Sequence, residues 1–162
     1  MKKEYKIIDN FLTKEIFLNI KNVLMSSDFE WHYNFNVSQK NRNDGFYFTH
    51  TIFKDNIIYS NKFNLFVPIL KKLKVKSLIR IKINLYTKTD KIIEHGQHVD
   101  YEFKHKGFIF YINTNNGFTR LTDGTKVESI ENRGLFFNSN KKHNSSTCND
   151  ENRRVNINFN YF

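Results

Sequence analysis

Glu94-His95-Gly96-Gln97-His98-Val99-Asp100-Tyr101 is the stretch around which the rest of the chain arranges itself. It holds two imidazoles and a carboxylate, and His98 and Asp100 are separated by a single residue. On an extended strand the side chains at i and i+2 share a face, so His98 and Asp100 converge while Val99 turns away into packing. One nitrogen and one oxygen on the same face form a chelate, two of the three ligands of a facial two-His, one-carboxylate site. A lone His-x-Asp is common, however, and carries weight only if the chain supplies a third ligand elsewhere.

Outward from this stretch the pattern is that of short strands. Residues 79–86 alternate, 107–113 form a nearly continuous apolar run, and 118–121 lead through an Asp123-Gly124 turn into 126–130. Residues 134–138, 142–147 and 154–162 complete a set that, with 94–100, predicts eight antiparallel strands in two sheets, a double-stranded β-helix or jelly roll.

The N-terminal part is mixed. Residues 5–8 predict a strand, and Thr13 is placed to cap a helix whose Ile16, Phe17, Ile20, Val23 and Leu24 fall at helical spacing. Trp31, Tyr33, Phe35 and Val37 alternate, as do residues 46–53, which predicts two strands joined by a polar loop at 38–45 of the kind that carries substrate contacts. A second helix is expected over 61–73, kinked or started by Pro68. The expected fold class is mostly β with N-terminal helices. Residues 1–162 form a single domain, with 1–78 buttressing a jelly-roll core at 79–162.

The formal charge of +10 invites a nucleic-acid reading, but Lys and Asn are abundant throughout, Arg is scarce and Ala is absent. That bias fits an AT-rich genome better than a selected basic patch, and the lysines fall in short groups rather than one long run. Cys148 is the only cysteine, which excludes an internal disulfide and cysteine-based zinc sites and suits a reducing cytoplasm. With no apolar stretch of signal-peptide or membrane-spanning length, the chain is expected to be soluble, cytoplasmic and without a membrane partner.

His143 is the only histidine downstream of the strand-rich middle, and in a jelly roll its strand neighbours the one bearing His98 and Asp100. Eleven residues later comes Arg154, which shares a strand face with Asn156, Asn158 and Asn160, opposite Val155, Ile157 and Phe159. A guanidinium pointing into a barrel is costly unless an anion meets it, and its planar fork matches a carboxylate. Strand phase favours Arg154 over Arg153, which would face solvent. A competing ligand set, His95 and His98 with Glu102, is opposed by alternation, which puts the two imidazoles on opposite faces. His32, His50 and His105 have no partners in sequence and are expected at the surface or on the substrate side.

His98-x-Asp100, His143 and Arg154, in this order and spacing, resemble the iron(II) and 2-oxoglutarate dependent oxygenases of the double-stranded β-helix fold. Ile83-Asn84-Leu85-Tyr86 stands where that family's first barrel strand offers an Asn or Tyr to the co-substrate, and Phe108 to Asn113 looks like the third strand of the prolyl-hydroxylase branch. In that branch the residue matching Tyr111 bonds the distal carboxylate. Asn116-Gly117-Phe118-Thr119 resembles the branch's Gly-Gly-Glu-Thr turn, with Phe118 in place of the acid. The compactness is similar to that of small oxygenases from marine bacteriophages and their hosts.

The resemblance implies iron(II) held by His98, Asp100 and His143, and 2-oxoglutarate held by Arg154 with help from Tyr111, Tyr86 and Asn84. It implies consumption of O2, with succinate and CO2 as co-products of hydroxylating a peptide or protein side chain. Buried tyrosines are also ordinary core residues, so Tyr111, Tyr86 and Asn84 have a structural alternative. Two other function classes compete. One is a nucleic-acid demethylating oxygenase of the same superfamily, in which exposed aromatics within 31–50 stack on bases; the other is a jelly-roll structural or binding domain without catalysis.

Overall fold

In the computed structural model, residues 4–37 and 45–162 are described. The elements run β1 (Lys6–Ile8), α1 (Lys14–Leu24), β2 (His32–Asn34), β3 (Tyr47–Lys54), β4 (Ile57–Ile58), a 3-10 turn (Phe63–Phe66), α2 (Val67–Leu73) and β5 (Leu78–Thr87). Then come β6 (Lys106–Tyr111), β7 (Asn115–Leu121), β8 (Lys126–Ser129), β9 (Gly134–Asn138), β10 (His143–Ser145) and β11 (Arg153–Tyr161). The protein is mostly β, and every strand pair is antiparallel. A large sheet runs β1-β9-β6-β11-β5-β3-β2, with β4 also on β3, and a small sheet runs β10-β7-β8.

Alternation along β5 and β11 explains the layering. Ile81, Ile83 and Leu85 lie on one face with Val155, Ile157 and Phe159. The helices cover that apolar face: Phe17 of α1 meets Phe110 edge-on at 6.1 Å, and Phe66 meets Phe159 at 6.4 Å. Phe11 joins from the α1 approach, 4.8 Å from Phe108, which itself lies 4.7 Å from Phe136. Each such buried ring removes enough apolar surface from water to contribute about 2–3 kcal/mol before entropy is counted. The other face of β5 and β11 carries Arg80, Lys82, Asn84, Tyr86, Arg154, Asn156, Asn158 and Asn160, paired across the strands. It looks toward the small sheet, and Arg154 bonds to Ser129 of β8 and Thr119 of β7.

The expected second helix is divided. Residues Phe63–Phe66 close a 3-10 turn, and Pro68 sits in the first turn of α2, where its missing N–H has no helical partner to lose. The predicted strand at 94–100 is not a strand. Only two isolated bridges form, Glu94 with Ser146 and His98 with His143, so residues 79–162 hold seven regular strands and one bridged segment rather than eight strands. Four residues on this segment span three on its partner, which leaves one extra residue near Gly96-Gln97 and resets the alternation as a bulge does. Most of the loop expected at 38–45, residues 38–44, lies outside the described residues. Among the described residues no helix is long and apolar enough to cross a membrane.

Candidate active site

His98, Asp100 and His143 are brought together, with one ligand atom from each lying within 4.8 Å of the others. The bridge does this: the His98 amide donates to the His143 carbonyl at 2.9 Å and the reverse bond is 3.0 Å. The segment is fastened further along, where Arg120 of β7 grips the Glu94 carboxylate through two nitrogens and Asn144 donates to it at 3.0 Å. The carbonyl of Lys141 lies 3.0 Å from His143 Nδ1. A proton on Nδ1 satisfies that carbonyl and leaves the Nε2 lone pair facing the cluster.

Asp100 is held from the sheet. Arg80 donates to it at 2.7 Å, Asn160 at 2.9 Å and Asn158 at 3.1 Å. Burial would raise its carboxyl pKa, but the Arg80 charge, His143 and the two asparagine hydrogen bonds outweigh burial and hold it below the usual carboxylate range. Burial, with His143 adding and Asp100 opposing, pushes His98 down to about 4. The group is therefore neutral at physiological pH, the form a metal ligand requires.

Arg154 is fully buried, as strand phase predicted. Its Nε donates to Ser129 Oγ at 2.8 Å and one terminal nitrogen to Thr119 Oγ1 at 3.2 Å; the guanidinium lies over the rings of Tyr86 and Tyr111. Tyr111 also donates to Thr119, at 2.9 Å. Among the described residues no carboxylate comes within ion-pair distance of Arg154. Gly117 makes room for it: a Cβ there would stand 2.5 Å from Arg154 Cδ and 2.7 Å from the Thr147 carbonyl. Tyr86 and Thr119, which touch Arg154, line a cleft with Asn84, His98, Asp100 and His143. The amide oxygens of Asn84, Asn144 and Asn158, all in this cleft, are buried without a hydrogen-bond partner among the described residues.

The other histidines take unexpected places. Because the bulge resets alternation, His95 is buried inside, stacked on Tyr86 at 5.2 Å and bonded to Ser145, yet outside the cluster. His50 and His105 are buried rather than on the surface: His50 bonds the Glu30 carbonyl and Ser60, and His105 meets Asn160. His32 is exposed. Arg153, expected in solvent, is partly buried and donates to the Met25 carbonyl.

Sequence reasoning missed Arg80, Lys82, Ser129 and Thr119 as residues of the site. Alternation along 79–86 put Arg80 and Lys82 on the face of Asn84 and Tyr86, so that signal was present. Ser129 had no signal at all. Lys82 lines the cleft, and burial, with Arg80 adding and Asp100 opposing, pushes it down to about 8.

The sequence matches no family model and none of the curated proteins. Solved structures match instead. The viral collagen prolyl hydroxylase vCPH from Paramecium Bursaria Chlorella virus-1, in its 2OG complex, superposes with a TM-score of 0.64 at 11% identity, covering 98% of this chain and 94% of its own. A prolyl hydroxylase from Trichoplax adhaerens, solved with a hypoxia inducible factor peptide fragment, gives 0.68 at 12% identity over 98% and 83%. The α-ketoglutarate dependent epimerase SnoN of nogalamycin biosynthesis gives 0.65 at 14% identity over 98% and 77%. The chain thus has the fold of the non-heme 2OG-Fe(II) oxygenases. That fold carries hydroxylation in some neighbours and epimerisation in another, so the reaction has to be argued from the site.

Proposed function

We propose that this protein is an iron(II)- and 2-oxoglutarate-dependent oxygenase that hydroxylates a peptide or protein side chain, with residues 1–162 working as one domain. The observation that carries the reading is a fully buried Arg154 without a carboxylate partner among the described residues, beside a cleft that also holds His98, Asp100 and His143. The donor set fits iron(II): two imidazoles and one carboxylate leave further positions open for a chelating keto acid and O2. The unpartnered amide oxygens in the cleft are those of a site that awaits a polar occupant.

In this reading His98, Asp100 and His143 hold the metal, and Arg154 holds the distal carboxylate of 2-oxoglutarate with Thr119 and Tyr111 beside it. Asn84 and Tyr86 wall the co-substrate, and Arg80, Asn158 and Asn160 keep Asp100 ionised and aimed. The bound group supplies the oxidation, in which 2-oxoglutarate and O2 become succinate and CO2 as a substrate C–H is hydroxylated. The peptide class is supported by the Trichoplax neighbour, which was solved with a peptide. The lone, buried Cys148 suits a reducing compartment such as the cytoplasm.

Succinate formation from 2-oxoglutarate, dependent on iron(II), is the test; a loss of less than about tenfold in His143→Ala or Asp100→Asn sinks the proposal. A second reading, oxidation of a modified nucleic acid, is favoured by one observation. Tyr33, Phe35 and Phe46 are exposed, with Phe35 and Phe46 each packed on Tyr33, close in sequence to Val37 and Tyr47 of the cleft, as a base-stacking platform would be. Salt-sensitive binding of single-stranded DNA distinguishes it.

A further inference from the structure

Among the described residues, Lys82 is the one lysine or arginine lining the cleft, and the proposed chemistry leaves it unused. It stands on β5 between Thr51 of β3 and Asn158 of β11, and it lines the same cleft as His98 and Asp100. Its neighbours offer little. The Tyr47 hydroxyl is 3.5 Å from Nζ, at the outer limit of a hydrogen bond, and the Tyr47 ring centroid is 5.6 Å away. Among the described residues no carboxylate forms an ion pair with it, since the nearby Asp100 is bonded to Arg80, Asn158 and Asn160.

Charge balance sharpens the point. On the oxygenase reading, iron(II), Asp100, Arg154 and the 2-oxoglutarate dianion together are neutral. Arg80 and Lys82 are left over. Arg80 keeps the Asp100 carboxylate and the Asn160 amide oxygen, whereas Lys82 keeps only a long contact to a phenol. A half-buried ammonium in that position is stabilised by a charge-assisted hydrogen bond from an incoming anion.

We propose that Lys82 is a specificity-determining residue that binds a carboxylate of the primary substrate, so that the oxidised carbon lies close to an acidic group. The inference rests on the oxygenase reading and narrows it to an acid-bearing substrate. The carboxylate belongs either to an acidic side chain or to a free chain terminus, and both present the same chemistry to Nζ.

The experiment uses the full chain with manganese(II) and the unreactive 2-oxoglutarate analogue N-oxalylglycine, and follows the paramagnetic relaxation of small probes by proton NMR. Acetate is compared with its neutral isostere acetamide. A blocked tripeptide with a central aspartate is compared with a tripeptide whose only charge is its C-terminal carboxylate. Acetate is expected to bind roughly tenfold more tightly than acetamide, with Lys82→Met reducing it to the acetamide level and Lys82→Arg retaining it. The tripeptide that behaves like acetate identifies the source. Equal relaxation by acetate and acetamide, or an acetate preference that survives Lys82→Met because acetate sits on the metal, overturns the proposal. If N-oxalylglycine itself fails to bind the manganese-loaded protein, the oxygenase reading falls and this inference with it.

Discussion

His98 and His143 exchange two backbone hydrogen bonds across a single antiparallel bridge, and their ring centroids lie 4.7 Å apart. The backbone thus delivers both imidazoles to one point before any metal is bound. His143→Ala removes one of the three proposed ligands while leaving the bridge, so manganese affinity is expected to fall roughly hundredfold or more, as measured by titration. His95→Ala, at a residue outside the His98–Asp100–His143 cluster, is expected to keep the metal.

Arg154→Met keeps much of the side-chain volume and removes the buried charge. Affinity for 2-oxoglutarate, measured calorimetrically with manganese present, is expected to fall at least about tenfold, the loss of a charge-assisted hydrogen-bond pair. Metal affinity is expected to stay within about threefold, because the hydrogen bonds of Arg154 go to Ser129, Ser146 and Thr119 and not to the proposed ligands. An unchanged 2-oxoglutarate affinity would assign the dianion to another cation.

Gly117→Ala tests the same pocket from behind. The added methyl would stand 2.5 Å from Arg154 Cδ and 2.7 Å from a backbone carbonyl, so one of them must move. A loss of about 1–3 kcal/mol in urea unfolding is expected, together with weakened 2-oxoglutarate binding. A variant as stable as the parent would show that the strand has slack there.

The Glu94–Arg120 pair gives a pH signature. The Arg120 hydrogen bond, against burial and helped by Asn144, pulls the Glu94 carboxyl down from its usual range to about 2. A carboxyl lowered on folding stabilises the fold fully above its unfolded value, near 4.3, and loses that contribution as pH falls through the folded value. Glu94→Gln is therefore expected to have a lower urea midpoint than the parent at pH 6, with the gap narrowing below about pH 4 and closing only below about pH 2. A gap that does not change with pH would mean the ionised pair contributes nothing.

Much of this was legible in the sequence. The helix at Lys14–Leu24, the strand Gly134–Asn138 and the two polar-faced strands around Asn84 and Asn156 follow from local periodicity, and the structure has them. The stretch 94–100 alternates like a strand yet forms only isolated bridges, since a two-residue period cannot register an extra residue opposite a partner some 45 positions away. The burial of His50 and His105 is likewise not written in local spacing: His50 bonds Glu30 and Ser60, and His105 bonds Asn160 as well as the nearby Phe103 carbonyl.

By itself the sequence determined which residues share a face, because alternation is a property of the extended chain wherever it lies. That was enough to group Arg154 with Asn156, Asn158 and Asn160. The tertiary structure alone decided which of those polar groups find partners. Arg80 reaches Asp100, while Arg154 and Lys82 meet no carboxylate among the described residues. Pairing depends on distances between strands joined by long connections, and burial on what the opposite sheet covers; neither quantity is written in local spacing.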